Sequence, residues 1–159
     1  HLTARENIWF GDITRPPLEQ DIRKAASGVG ADVFLESLPK GYNTILGNWF
    51  EGSKQLSIGE WQKLSLARAF YRDAGLVILD EPMTSMDVTS EAEIIERFRR
   101  LIQGRSAVLI SHRFTTVRLA DRIYYLEDGH VLEQGSHAEL LEQGGRYAKL
   151  FTTQAGYYR

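Results

Sequence analysis

The chain has 159 residues, 43% of them apolar and 25% charged, a composition that fits one globular domain with a real core. Its 19 basic and 21 acidic residues leave a net charge of −2, which excludes the basic excess or stripe of a nucleic-acid footprint. Cysteine is absent, so a disulfide framework and thiolate metal sites are excluded, and no apolar run approaches the roughly 18 residues of a membrane span.

The sequence opens at His-Leu-Thr-Ala-Arg with no initiating Met and reads as a piece of a longer protein. Pro16 and Pro17 precede a helix expected over Leu18–Ala26, because proline near a first helical turn is a start signal. Gly28 and Gly30 end it. A short helix is expected over Ala31–Leu38, stopped by Pro39 and Gly41, and Tyr42–Lys54 reads as a loop. The clearest helix runs from Ser57 to Asp73, opened by the capping-box spacing of Ser57 and Glu60. Leu76–Leu79 is a continuous apolar run, expected as a strand buried on both faces.

Ser90 and Glu93 repeat the capping-box spacing before a helix whose apolar residues are Ile94, Ile95, Phe98, Leu101 and Ile102. Ala107–Ile110 is expected as a second buried strand, and Thr115–Ala120 as a short helix. Asp128-Gly129 between Ile123–Leu126 and His130–Glu133 is a strong hairpin signal. Ser136 and Glu139 start another helix, and Arg146–Phe151 reads as the last. Strands alternating with helices after residue 75 point to an α/β layer. The expected organisation is a helical lobe over residues 1–75 and an α/β part over residues 76–159.

Three segments carry candidate chemistry. Leu76–Leu79 ends in the adjacent carboxylates Asp80 and Glu81, and ligands of open α/β sheets gather at such strand ends. Asp80 is placed to hold Mg²⁺, which prefers oxygen ligands. Glu81, facing differently from its neighbour, can polarise an attacking water. The competing reading is a solvated strand end. Ser57, with Gly59 and Glu60 behind it, opens a helix whose free amides and dipole suit a phosphate; the competing reading is an ordinary cap. His112 follows the second strand and can donate to a phosphate, although a lone histidine is more often structural. Thr84–Asp87 alone reads as a loop leading into a helix.

Taken in order, these segments resemble the ABC ATPase family. Leu56–Glu60 resembles the signature motif, Leu76–Asp80 with Glu81 resembles Walker B and the catalytic glutamate, and Thr84–Asp87 resembles the D-loop. His112 resembles the switch histidine, Thr3–Ile8 the segment after the Q-loop, and 128–140 the C-terminal hairpin and helix. The resemblance implies a partial P-loop ATPase core, a mostly parallel sheet with flanking helices, beside an α-helical signature subdomain. It implies ATP and Mg²⁺ as ligands. Asp80 binds the metal and Glu81 and His112 act at the γ-phosphate, while Ser57, Gly59, Glu60 and Asp87 lie beside nucleotide. It also implies a second ATPase domain as dimer partner, homo- or heterodimeric, a transmembrane domain, no nucleic acid, and the cytoplasmic face of a membrane.

The signature departs from its usual form at two positions, with Ile58 for a glycine and Glu60 for a glutamine. The nearest approach to a P-loop, Gly47–Lys54, has Ser53 and Lys54 transposed relative to G-x-x-x-x-G-K-[ST] and no apolar strand before it. It is rejected, so the phosphate-binding loop is expected upstream of His1. Two alternatives compete with the intact exporter motor. One is a non-hydrolysing half-site that offers only its signature in trans; the other is a non-transport ABC ATPase acting on DNA or ribosomes.

Overall fold

The computed structural model describes residues 2–48, 51–82 and 88–157. By compactness it divides into two units, His1–Val108 and Leu109–Arg159. The helix after the first strand packs back onto the helical lobe.

In the first unit, α1 (Ala4–Trp9) and α2 (Glu19–Gly28) pack on the long helix α4 (Ile58–Tyr71), while α3 (Asp32–Ser37) packs against α2 and a 3-10 turn (Gly41–Asn43) against α1. Thr3 starts α1 through a reciprocal cap with Glu6, a Thr-x-x-Glu pattern absent from the elements expected above. The lobe core is closed. Ala4, Ile8, Ala26, Leu35, Leu64 and Ala67 are all 0% exposed. Directional bonds sit on top of this packing. Arg68 of α4 donates from Nε to the Asn7 carbonyl at 2.7 Å and from Nη2 to Asn7 Oδ1 at 2.8 Å. Arg15 Nη1 donates to the Tyr71 carbonyl at 2.9 Å, and Tyr71 Oη donates to the Pro16 carbonyl at 3.2 Å. Gly11 is required where it stands, since a Cβ there would collide with the Arg68 carbonyl oxygen.

The strands β1 (Leu76–Asp80) and β2 (Ser106–Ile110) pair in one two-stranded sheet, joined by the helical crossover α5 (Val88–Leu101). Helix α5 begins two residues before Ser90, so the expected cap there lies inside the helix. Ile94, Ile95 and Phe98 of α5 are buried, and Phe98 meets Phe70 of α4 edge-on at 5.9 Å. The expectation that both strands are buried on both faces is corrected. Val77 and Leu79 are buried, but Leu76 is 52% and Ile78 63% exposed, and Val108 and Ile110 are exposed as well. A run of four apolar residues reads alike whether one face or both are covered, and the described residues bring only one layer of helices to this sheet.

The second unit holds α6 (Phe114–Val117), the antiparallel hairpin β3 (Ile123–Glu127) and β4 (His130–Gly135), α7 (His137–Gln143) and α8 (Arg146–Tyr157). The hairpin turns at Asp128 and Gly129, whose φ values of 50° and 77° are the paired left-handed angles of a type I′ turn. One register shift lies after Tyr125, where Tyr125 faces Glu133 and Leu126 faces Val131. Ser136 caps α7 reciprocally with Glu139, as expected, and Gly144 ends it at φ 64°. Ile123, Leu140 and Tyr147 form the core, with Phe114 packed edge-on to Tyr147 at 5.3 Å. Glu133 of β4 accepts the Arg146 and Tyr147 amides, so a strand carboxylate caps α8.

Candidate functional site

Ser57 stands at the N-cap of α4 in extended backbone, φ −65° and ψ 163°, and is exposed. Its Oγ accepts from the Glu60 amide at 3.3 Å. In return the Glu60 carboxylate accepts the Ser57 amide at 2.7 Å and the Ser57 hydroxyl at 2.8 Å. The carboxylate is therefore folded back onto the cap rather than projecting ahead of the helix. The amides of Ile58 and Gly59, in the first turn, have no partner within the helix by its geometry. Together with the positive end of the helix dipole they form an end suited to an anion. Ile58, in place of the usual glycine, is 69% exposed.

Asp80 closes β1 on its exposed side, next to buried Leu79. At Glu81 the backbone turns to φ 45°, in the left-handed region. That conformation costs a non-glycine residue about 1–3 kcal/mol and is sustained only by its surroundings. Among the predicted site residues that the structure describes, Glu81 is the one strained residue bearing a side chain, and such outliers gather at functional sites. His112 is exposed in the short link between β2 and α6, where the Ser111 hydroxyl accepts the Arg113 amide at 3.1 Å. Asp87, with Thr84–Met86 before it, lies outside the described residues.

Thus Ser57, Gly59 and Glu60 are gathered at one helix end, Asp80 and Glu81 at one strand end, and His112 follows the neighbouring strand. The two ends of the rejected P-loop look-alike are tied together. Gly47 donates to the Lys54 carbonyl and Lys54 to the Ile45 carbonyl, both at 2.9 Å. A cavity of about 250 Å³ opens in the helical lobe between Arg5, Glu19, Arg23, Glu36, Lys40 and Tyr42, but no predicted site residue lines it. Burial pushes the Tyr42 phenol up to about 12, so it is neutral there. The pair that sequence reasoning does not find is Asn7 and Arg68, 61 positions apart and in no local pattern; only their contact reveals them.

Among the described residues no cluster of three or more His, Cys, Asp or Glu is placed to hold a metal, and no helix is long and apolar enough to cross a membrane. A family model described as ABC transporter matches residues 1–84. The chain is 40% identical over 152 residues to an uncharacterized ABC transporter ATP-binding protein, YfiC, of Bacillus subtilis, covering 96% of this chain and 24% of that protein. It is 41% identical over 148 residues to an ATP-dependent lipid A-core flippase of Pseudomonas aeruginosa, covering 93% of this chain and 24% of the flippase. A solved structure of a bacterial Atm1-family ABC exporter with ATP bound superposes with a TM-score of 0.85 at 32% identity, over 96% of this chain and 26% of that one. The chain thus spans about a quarter of the length of these relatives.

Proposed function

Since the chain belongs to the ABC transporter ATP-binding family, we propose that it is the C-terminal part of the ATP-hydrolysing motor domain of a membrane exporter. Residues 1–75 would be its helical signature lobe and 76–159 the C-terminal part of its ATPase core. The observation that carries this reading is the likeness, over 96% of the chain, to an exporter with ATP bound. The ordered signature-like, Walker B-like and switch-like segments support it.

ATP is the substrate. The residues present fit a Mg²⁺ ion, because Mg²⁺ held on substrate phosphates takes only one or two protein carboxylates and keeps several waters. Asp80, an exposed carboxylate at a strand end, is that donor. When bound, the ion neutralises phosphate charge. Glu81 accepts a proton from, or orients, the water that attacks the γ-phosphorus, and the bond to the β–γ bridging oxygen breaks to release ADP. His112 donates to a γ-phosphate oxygen. Ser57 and the Gly59 amide meet a nucleotide held mainly by a second ATPase domain, with Asp87 beside that contact. Glu60 stays on the cap and keeps its charge turned from the phosphates. Positioning and electrostatics supply most of the rate in such phosphoryl transfer.

The phosphate-binding loop comes from residues outside this chain, as do the membrane helices that the motor drives from the cytoplasmic face. No partnership with nucleic acid is implied. For the 159 residues alone a second reading is favoured by the lack of any G-x-x-x-x-G-K-[ST]: the chain offers its signature in trans and turns over no ATP by itself. Calorimetric titration of Mg-ATP, with phosphate release followed in parallel, tests both. The chain alone is expected to release no phosphate, and the longer protein is expected to lose about 100-fold or more of its turnover with Glu81→Gln. Full turnover by the Gln variant would sink the catalytic assignment.

A further inference from the structure

We propose that Arg68 and Asn7 are positioning residues, a clamp at the far end of α4 that sets where its Ser57 end points; this rests on the reading that Ser57 meets a nucleotide held by another domain. Helix α4 carries Ser57 at its exposed tip and Arg68 near its other end. At about 1.5 Å per residue the two lie roughly 16 Å apart along the helix axis. A small rotation or slide at the Arg68 end is carried, undamped by any joint, to the tip.

Apolar packing alone holds such a helix in contact without fixing its rotation, because burial is not directional. Leu64, Leu66 and Ala67 supply that burial. The direction comes from the guanidinium fork. Nε and Nη2 grip two different oxygens of one residue, the Asn7 carbonyl at 2.7 Å and Asn7 Oδ1 at 2.8 Å. Asn7 is 7% exposed, so neither oxygen has water as a ready substitute. The Asn7 amide is held in turn, donating from Nδ2 to the Thr3 carbonyl at 3.0 Å, which sets which way Oδ1 faces. The Arg68 carbonyl also sits in the space that a Cβ of Gly11 would take, so α4 lies hard against the turn after α1 at this point. The fork on Asn7 thus grips α4 where it also runs closest to the turn after α1. A lysine at 68 would keep the charge but not the fork.

The test uses the 159-residue chain as a signature donor. Its binding to a complete ATPase domain of the same transporter is measured by titration. That domain carries Glu81→Gln, so that Mg-ATP stays bound. Ser57→Ala in the chain is expected to weaken the complex strongly. Arg68→Lys and Asn7→Ala are each expected to weaken it about tenfold, the order of one lost hydrogen bond. Arg68→Met is expected to cost more than Arg68→Lys, and Asn7→Ala combined with Arg68→Met no more than Arg68→Met alone. All variants are compared at a temperature where circular dichroism shows each fully folded, which removes a merely structural loss. Wild-type binding by folded Arg68 and Asn7 variants, or additive losses, would overturn the clamp. No complex, or indifference to Ser57→Ala, would overturn the signature reading on which it stands.

Discussion

The helical lobe of α1 to α4 and the strand pair β1–β2 both bury apolar residues but differ in finish. In the lobe, core residues such as Ile8, Leu35 and Leu64 are sealed from solvent, and polar groups reach across to lock helices together, as Arg68 does on Asn7. In the strand pair, Leu76, Ile78, Val108 and Ile110 stand exposed, while Val77 and Leu79 pack inward. Helices can satisfy their backbone internally and close a core among themselves. A strand needs neighbours at its edges and layers on both faces, and open edges invite association. The part of the candidate site on α4 therefore rests on a finished scaffold, and the part after β1 stands on a half-covered one.

Truncation should separate the two regions most sharply. Leu64→Ala, at a position with 0% exposure, is expected to cost about 2–5 kcal/mol in denaturant unfolding, through lost burial and the cavity left behind. A cost below about 1 kcal/mol would mean that the lobe is not the closed core described. Gly11→Ala should follow, at about 1–3 kcal/mol, because the added methyl meets backbone rather than a movable side chain. Gly129→Ala in the hairpin is expected to cost about 1 kcal/mol through its left-handed φ of 77°. Equal stability would show that the turn relaxes to another type.

Acid sharpens the comparison by acting on the helix caps. Hydrogen bonds from Thr3, side chain first and then backbone, hold the Glu6 carboxyl below its ordinary range, and Ser136, backbone first, does the same for Glu139. A carboxyl whose folded pKa is depressed stabilises above its unfolded pKa and loses that contribution as pH falls through the folded one. The melting temperature should therefore decline as pH drops below the ordinary glutamate range. Replacing Glu6 and Glu139 by Gln should flatten that decline, and an unchanged slope would count against the caps. The smallest effect is expected at Ile78→Ser on the open strand face, within about 0.5 kcal/mol. A loss as large as that at Leu64 would show that this face is covered in solution.

Much of the candidate site is legible in the order of residues alone, because its signals are local. Ser57 and Glu60 are three apart, which is one helical turn, so the reciprocal cap follows from spacing. Thr3 and Glu6 carry the same signal, which is easily overlooked beside the resemblance of their segment to a known motif. Asp128-Gly129 dictates its turn through backbone sterics alone. Ser90 misleads, since a capping-box spacing does not exclude a helix that starts a few residues earlier, here at Val88.

What the sequence determined by itself was the family, the order of motifs, the hairpin and the caps at Ser57 and Ser136, because each of these signals depends on residues within a few positions of one another. Tertiary structure alone decided the rest. It folded α5 back onto the lobe, left one face of β1 open, and turned Glu81 into a left-handed conformation. It also joined Arg68 to Asn7 across 61 positions. Such outcomes depend on which surfaces meet in space, and neither a run of apolar residues nor a lone arginine specifies its distant partner.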